Sequence, residues 1–166
     1  MPTKIDNGAQ VAAEHGIERS PKWPAAEKAH LKAHPYCEVC GPTMDPKVKV
    51  QVHHVIPFHF CILLDRAYAE IDDRNLITLC ETEKGAPAPN HHLTAGHSGD
   101  FQSSNVNVRQ DAFVFFRMDE STIKKNAHYL ENVKNRLKPW AQMTDQDRAN
   151  LTALIDRLYP VPKVGG

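Results

Sequence analysis

The pair Cys37-x-x-Cys40 constrains this chain more than any other feature of its 166 residues. Two thiols at that spacing suit a disulfide, a redox couple or a metal knuckle. A redox couple of the thioredoxin kind needs a βαβ pattern around the pair, and none surrounds these two residues. In a reducing compartment metal is the better reading. Two more cysteines, Cys61 and Cys80, and ten histidines make the chain rich in donors for such an ion.

Twenty basic and twenty acidic side chains leave a formal charge of zero, which excludes a protein coated in positive charge. It leaves room for a local basic strip of the kind that phosphate binding needs. No apolar run approaches the roughly 18 residues of a membrane span. The opening segment lacks the apolar core of a secretory signal. A soluble cytoplasmic protein, of a bacterium or a phage-infected host, is the expectation.

Residues 1–20 are polar and read as a flexible arm. Pro24 suits the first turn of a helix that runs through AAEKAHLKAH until Pro35 stops it. Alternation in KVKVQV places Val48, Val50 and Val52 on one side of a strand that ends at His53-His54, with Pro57 closing it. CILLDRAYAE reads as a loop or short helix, and LITLC as a second strand. ETEKGAPAPN is too rich in Pro and Gly for regular structure. HHLTAGH is a candidate short helix. From Ser121 to Lys138, Ile123, Ala127, Leu130, Val133 and Leu137 recur at helical spacing. Thr144 suits the N-cap of a last helix striped by Leu151, Leu154, Ile155 and Leu158, ended by Tyr159-Pro160.

Four fragments then stand in order: Cys37-x-x-Cys40, Val52-His53-His54-Val55-Ile56-Pro57, Asn75-Leu76-Ile77-Thr78-Leu79-Cys80, and His91-His92. Over about residues 37–97 this order resembles the HNH endonuclease family, also called ββα-metal or His-Me finger nucleases. The resemblance implies an α+β fold: a small ββα-metal core with a zinc knuckle, flanked by an N-terminal helix and C-terminal helices. The nuclease domain would span residues 21–110, with residues 111–166 a helical extension packed on it.

The same resemblance assigns roles. His54 takes the place of the general base, whose ordinary pKa near 6.5 suits it to accept a proton from water. His53 and His92 take the places of ligands to one catalytic divalent ion, Mg²⁺, Mn²⁺, Ni²⁺ or Zn²⁺. Asn75 takes the middle position, bracing the base and its loop or, in some branches, touching the ion. Cys37, Cys40 and Cys80 would hold a structural Zn²⁺, with His91 where the family carries a fourth cysteine; Cys₃His is acceptable to tetrahedral zinc. His97, in a Gly-His pair, is a further ligand, a group behind the ligands or a phosphate contact. Ideal strand alternation sends His53 and His54 to opposite faces, so a shared pocket requires the strand to twist or end there.

The remaining histidines, His15, His30, His34, His59 and His128, read as surface or packing residues, and Cys61 as a buried apolar thiol. Lys28, Lys32, Lys47 and Lys49, with Lys22, are candidate DNA contacts, and Arg109 a weaker one. The expected activity is metal-dependent hydrolysis of DNA by a monomer or weak homodimer. Two alternatives stand beside it: a zinc-stabilised DNA-binding module without turnover, and a phage packaging nuclease working beside a terminase.

Overall fold

The computed structural model describes residues 7–82 and 89–161, with side chains from residue 11 onward. Its centre is a two-stranded antiparallel sheet, β1 (Val50–His54) and β2 (Leu76–Cys80), in the register Val50↔Cys80 to His54↔Leu76. Helices surround it, so the class is α+β. A pair of strands this short is not stable alone and needs helices on its faces.

Three helices precede or follow β1. The first, α1 (Asn7–Glu14), lies where the sequence predicts an irregular arm. Its Val11 and Ala12 are buried, and α1 packs on α3 (Phe58–Leu63). The polar composition of this segment hid an apolar pair large enough to dock a short helix. Residues 1–6 of the expected arm lie outside the described residues. The second helix, α2 (Trp23–Ala33), carries Pro24 in its first turn as expected and ends before Pro35.

Beyond α3, a 3₁₀ turn at Ala67–Glu70 and another at Asp73–Asn75 lead into β2. The Pro/Gly-rich segment that follows β2 carries no regular structure at Pro89 or Asn90, and its residues 83–88 lie outside the described ones. His92–Gly96 is then a single π turn rather than an α-helix.

The C-terminal half contains α4 (Val108–Phe115), α5 (Glu120–Lys125), α6 (Ala127–Lys134) and α7 (Asp145–Leu158). The single helix expected from Ser121 to Lys138 is broken in two. Asn126 adopts extended backbone and its side chain accepts from the His128 amide, capping α6 where α5 stops. Asn competes with helical backbone through such local bonds. The boundary expected after residue 110 falls inside α4, whose Val108, Ala112 and Phe115 belong to the same core as the strands.

Two apolar clusters hold these elements together. One joins Cys37, Val39, Val55, Ile77, Leu79 and Cys80 to Ala95, α4 and Ile123. The other joins Ile56, Phe60, Cys61 and Ala69 to Met143, Leu151, Ile155 and Tyr159. The stripe on α7 is therefore spent inside the molecule. Its start is a capping box: the Asp147 amide donates to Thr144 Oγ1, and the Thr144 amide to Asp147 Oδ2, each at 3.0 Å. Among the described residues no helix is long and apolar enough to cross a membrane.

Candidate metal centres

The cysteine knuckle, the end of β2 and the start of the π turn converge on one point. Cys37, Cys40, Cys80 and His91 each offer a donor atom, all within 4.8 Å of one another. His91 Nδ1 lies 3.5, 3.3 and 3.2 Å from the sulfurs of Cys37, Cys40 and Cys80, and the sulfurs of Cys40 and Cys80 are 3.8 Å apart. Bonds of about 2.3 Å to sulfur and about 2.0 Å to nitrogen give a tetrahedron with S···S edges of about 3.8 Å and S···N edges of about 3.5 Å. The spacing fits, and this Cys₃His cluster could hold a metal ion such as zinc. No disulfide joins any of them.

The local backbone is built for the knuckle. Gly41 has φ of +80°, and a Cβ there would meet the Phe116 ring at 2.8 Å, so glycine alone turns the chain out of C-x-x-C. Charge also favours a cation. Hydrogen bonds from Cys40 and Cys80 pull the Cys37 thiol down, while its thiolate holds Cys40 up at about 12 and pushes Cys80 higher still. Three sulfurs this close, two of them buried, cannot all ionise unaided, and a divalent ion would remove that conflict.

A second group gathers at His53, near the end of β1. His53, His92 and His97 bring their donor nitrogens within 4.8 Å of one another. The π turn explains the membership of His97: five positions from His92 is off-face on an α-helix but on-face on a π turn. Ring partners fix which nitrogen points inward. His97 Nδ1 donates to the Ser103 carbonyl at 2.6 Å, which leaves the lone pair on Nε2. Glu81 Oε2 lies 3.6 Å from His92 Nδ1, beyond hydrogen-bond reach but close enough to favour a proton on that nitrogen. The two Nε2 atoms then face each other at 3.2 Å, an arrangement that asks for a proton or a cation between them. Burial first, and the neighbouring rings of His97 and His92 next, hold His53 well below its ordinary pKa and therefore neutral.

His54 is not a member of that group. As strand alternation predicts, its ring goes the other way, stacking on Trp23 of α2 with centroids 4.6 Å apart. Its Nε2 donates to the Glu70 carbonyl at 2.8 Å, which puts the lone pair on Nδ1. Because β1 ends there, His53 and His54 still line one cavity of about 270 Å³, together with His92, His97, Glu81 and Phe101.

Asn75 touches no grouped donor and is fully buried. Its Oδ1 accepts from the Ile56 amide at 2.8 Å, and its Nδ2 donates to the carbonyls of Ile56 and Ala69, each at 3.0 Å. It holds the loop after His54 and the peptide beside Glu70.

Other expectations fare differently. Lys28, Lys32, Lys47 and Lys49 are exposed and none of them lines the cavity; among the described residues Lys138 does. Arg109 is committed to backbone, bonding the carbonyls of Asp73, Arg74 and Leu76. Cys61 is a buried thiol, pushed up to about 12 by burial. Glu81 and Trp23 escaped the sequence reading. Glu81 follows Cys80 directly, and that adjacency was the available signal; Trp23 offered none. Comparison with protein-family models, with characterised proteins and with solved structures gives no match to this chain.

Proposed function

We propose that this chain is a metal-dependent DNA endonuclease of the HNH type, with His54 as general base beside a divalent ion held by His53, His92 and His97. The observation that carries the reading is one cavity lined by two kinds of histidine: three imidazoles gathered around a common point, and a fourth whose Nε2 proton is held by a carbonyl.

Phosphodiester hydrolysis needs an activated water and relief of the extra charge on the phosphate. His54 would accept the water's proton at Nδ1 while Nε2–H stays on the Glu70 carbonyl, so the ring gains charge without turning. The Trp23 face at 4.6 Å would stabilise the resulting imidazolium. Asn75 would position the loop after His54 and, through the Ala69 carbonyl, the residue next to Glu70. A divalent ion, when bound, supplies charge neutralisation at the phosphate and at the departing 3′ oxygen. Three imidazoles, with no carboxylate grouped with them among the described residues, favour Mn²⁺, Ni²⁺ or Zn²⁺ over Mg²⁺. The Cys₃His cluster would hold a second, structural ion. Lys138, which lines the cavity and pairs with Asp147 at 3.3 Å, is a candidate for a DNA phosphate.

The test is cleavage of supercoiled plasmid with each ion in turn. His54→Ala should lower the rate by about 10²–10⁴-fold with both bound ions retained. Equal cleavage by variant and parent would overturn the assignment of His54. Metal-dependent DNA binding with no nicking under any ion would favour a binding module instead.

A further inference from the structure

His30 and His34 stand four positions apart on α2, a spacing that places two side chains on one face of a helix. Their ring centroids are 4.7 Å apart. Facing them is Asp73, from the 3₁₀ turn before β2. His30 Nδ1 lies 2.7 Å from Asp73 Oδ1, and His34 Nε2 4.0 Å from Asp73 Oδ2. Glu38 Oε1 sits 3.7 Å from the other nitrogen of His34 and turns its Nε2 toward Asp73. One donor from each of His30, His34 and Asp73 falls within 4.8 Å of the others.

Burial makes this more than a surface ion pair. His30 is 2% exposed, whereas the side chains of His34 and Asp73 are 43% and 65% exposed. The His30 ring is thus anchored in the protein while its two companions open to solvent. Its Nε2 is buried with no hydrogen-bond partner among the described residues. The nitrogen that faces Asp73 is Nδ1, at 2.7 Å, so it is the ring's donor toward this cluster.

We propose that His30, His34 and Asp73 form a third cation site, taking a borderline divalent ion such as Zn²⁺, Ni²⁺ or Cu²⁺ from solution. Two imidazoles and a carboxylate are the donor set such ions prefer, and paired histidines four apart on a helix are a recurrent way to present it. Three protein donors leave further positions to water, so the ion exchanges, unlike one enclosed by Cys₃His. Its binding would clamp α2 to the turn that ends in Asn75. On the nuclease reading, this stiffens both supports of His54, because Trp23 belongs to α2 and Asn75 to that turn.

The experiment counts ions in the full chain without DNA, so its failure leaves the nuclease reading standing. Zinc-loaded protein carrying His53→Ala, which removes the cavity site, is titrated with Ni²⁺ by calorimetry and its metal content is measured after dialysis. Adding His34→Ala should remove one equivalent of Ni²⁺ or weaken it at least tenfold, with thermal melting in the absence of Ni²⁺ unchanged. Should the alanine variant fail to fold, His34→Gln takes its place and should give the same loss. Identical Ni²⁺ stoichiometry and affinity with and without the His34 substitution would overturn the proposal and leave His30–Asp73 as a hydrogen bond between helix and turn.

Discussion

Beneath the His53 ring the chain leaves little room beyond a hydrogen. A Cβ on Gly96 would stand 3.1 Å from His53 Cε1 and 3.1 Å from Leu79 Cδ1. Gly96→Ala should therefore tilt the imidazole, lowering Ni²⁺ or Mn²⁺ affinity about tenfold and stability by about 1–3 kcal/mol; calorimetry and chemical denaturation measure the two. Unchanged affinity would mean that the ring does not depend on this contact. His53 also carries a pH signature. Its folded pKa lies well below its unfolded value near 6.5, so the unfolded chain binds the extra proton as pH falls. The stability contributed by the neutral ring is complete above about pH 6.5 and is lost below it, at no more than about 1.4 kcal/mol per pH unit. Between pH 7 and 5 the parent should lose more stability than His53→Gln, measured by denaturant midpoints.

At the scale of elements, the most periodic segments were the most legible. The α2 and α7 helices and the two strands follow from Pro24, the Thr144 cap, the leucine stripe and the alternating valines. The cap is worth about 1 kcal/mol, so Thr144→Ala should lower the melting temperature by about 2–4 °C while zinc content stays constant. What sequence did not yield has physical reasons. A spacing of five between His92 and His97 reads as off-face until the turn is known to be π, and nothing in HLTAG marks it as such. The division of α5 from α6 hangs on one Asn side chain outcompeting an apolar period. The four thiol and imidazole donors at 37, 40, 80 and 91 were legible as residues, but only the folded chain shows their spacing. Cys80→Ser removes a donor from that tetrahedron and should abolish zinc retention in dialysis and, with it, cooperative unfolding.

On the scale of the molecule, α7 closes over α3 and the 3₁₀ turn at Ala67–Glu70, its apolar stripe meeting Ile56, Phe60 and Ala69. That stripe offers a terminase no docking face, so a packaging partner would have to use another surface. The two donor groups meanwhile share their chain neighbours. Cys80 precedes Glu81 and His91 precedes His92, so each adjacent pair sends one residue to the sulfur cluster and the next to the cavity. Filling one centre should thus pre-arrange the other, and by reciprocity the second should tighten the first by the same factor. Loss of an ion from the sulfur cluster, or oxidation of its thiols, should therefore loosen metal binding by the neighbouring imidazoles.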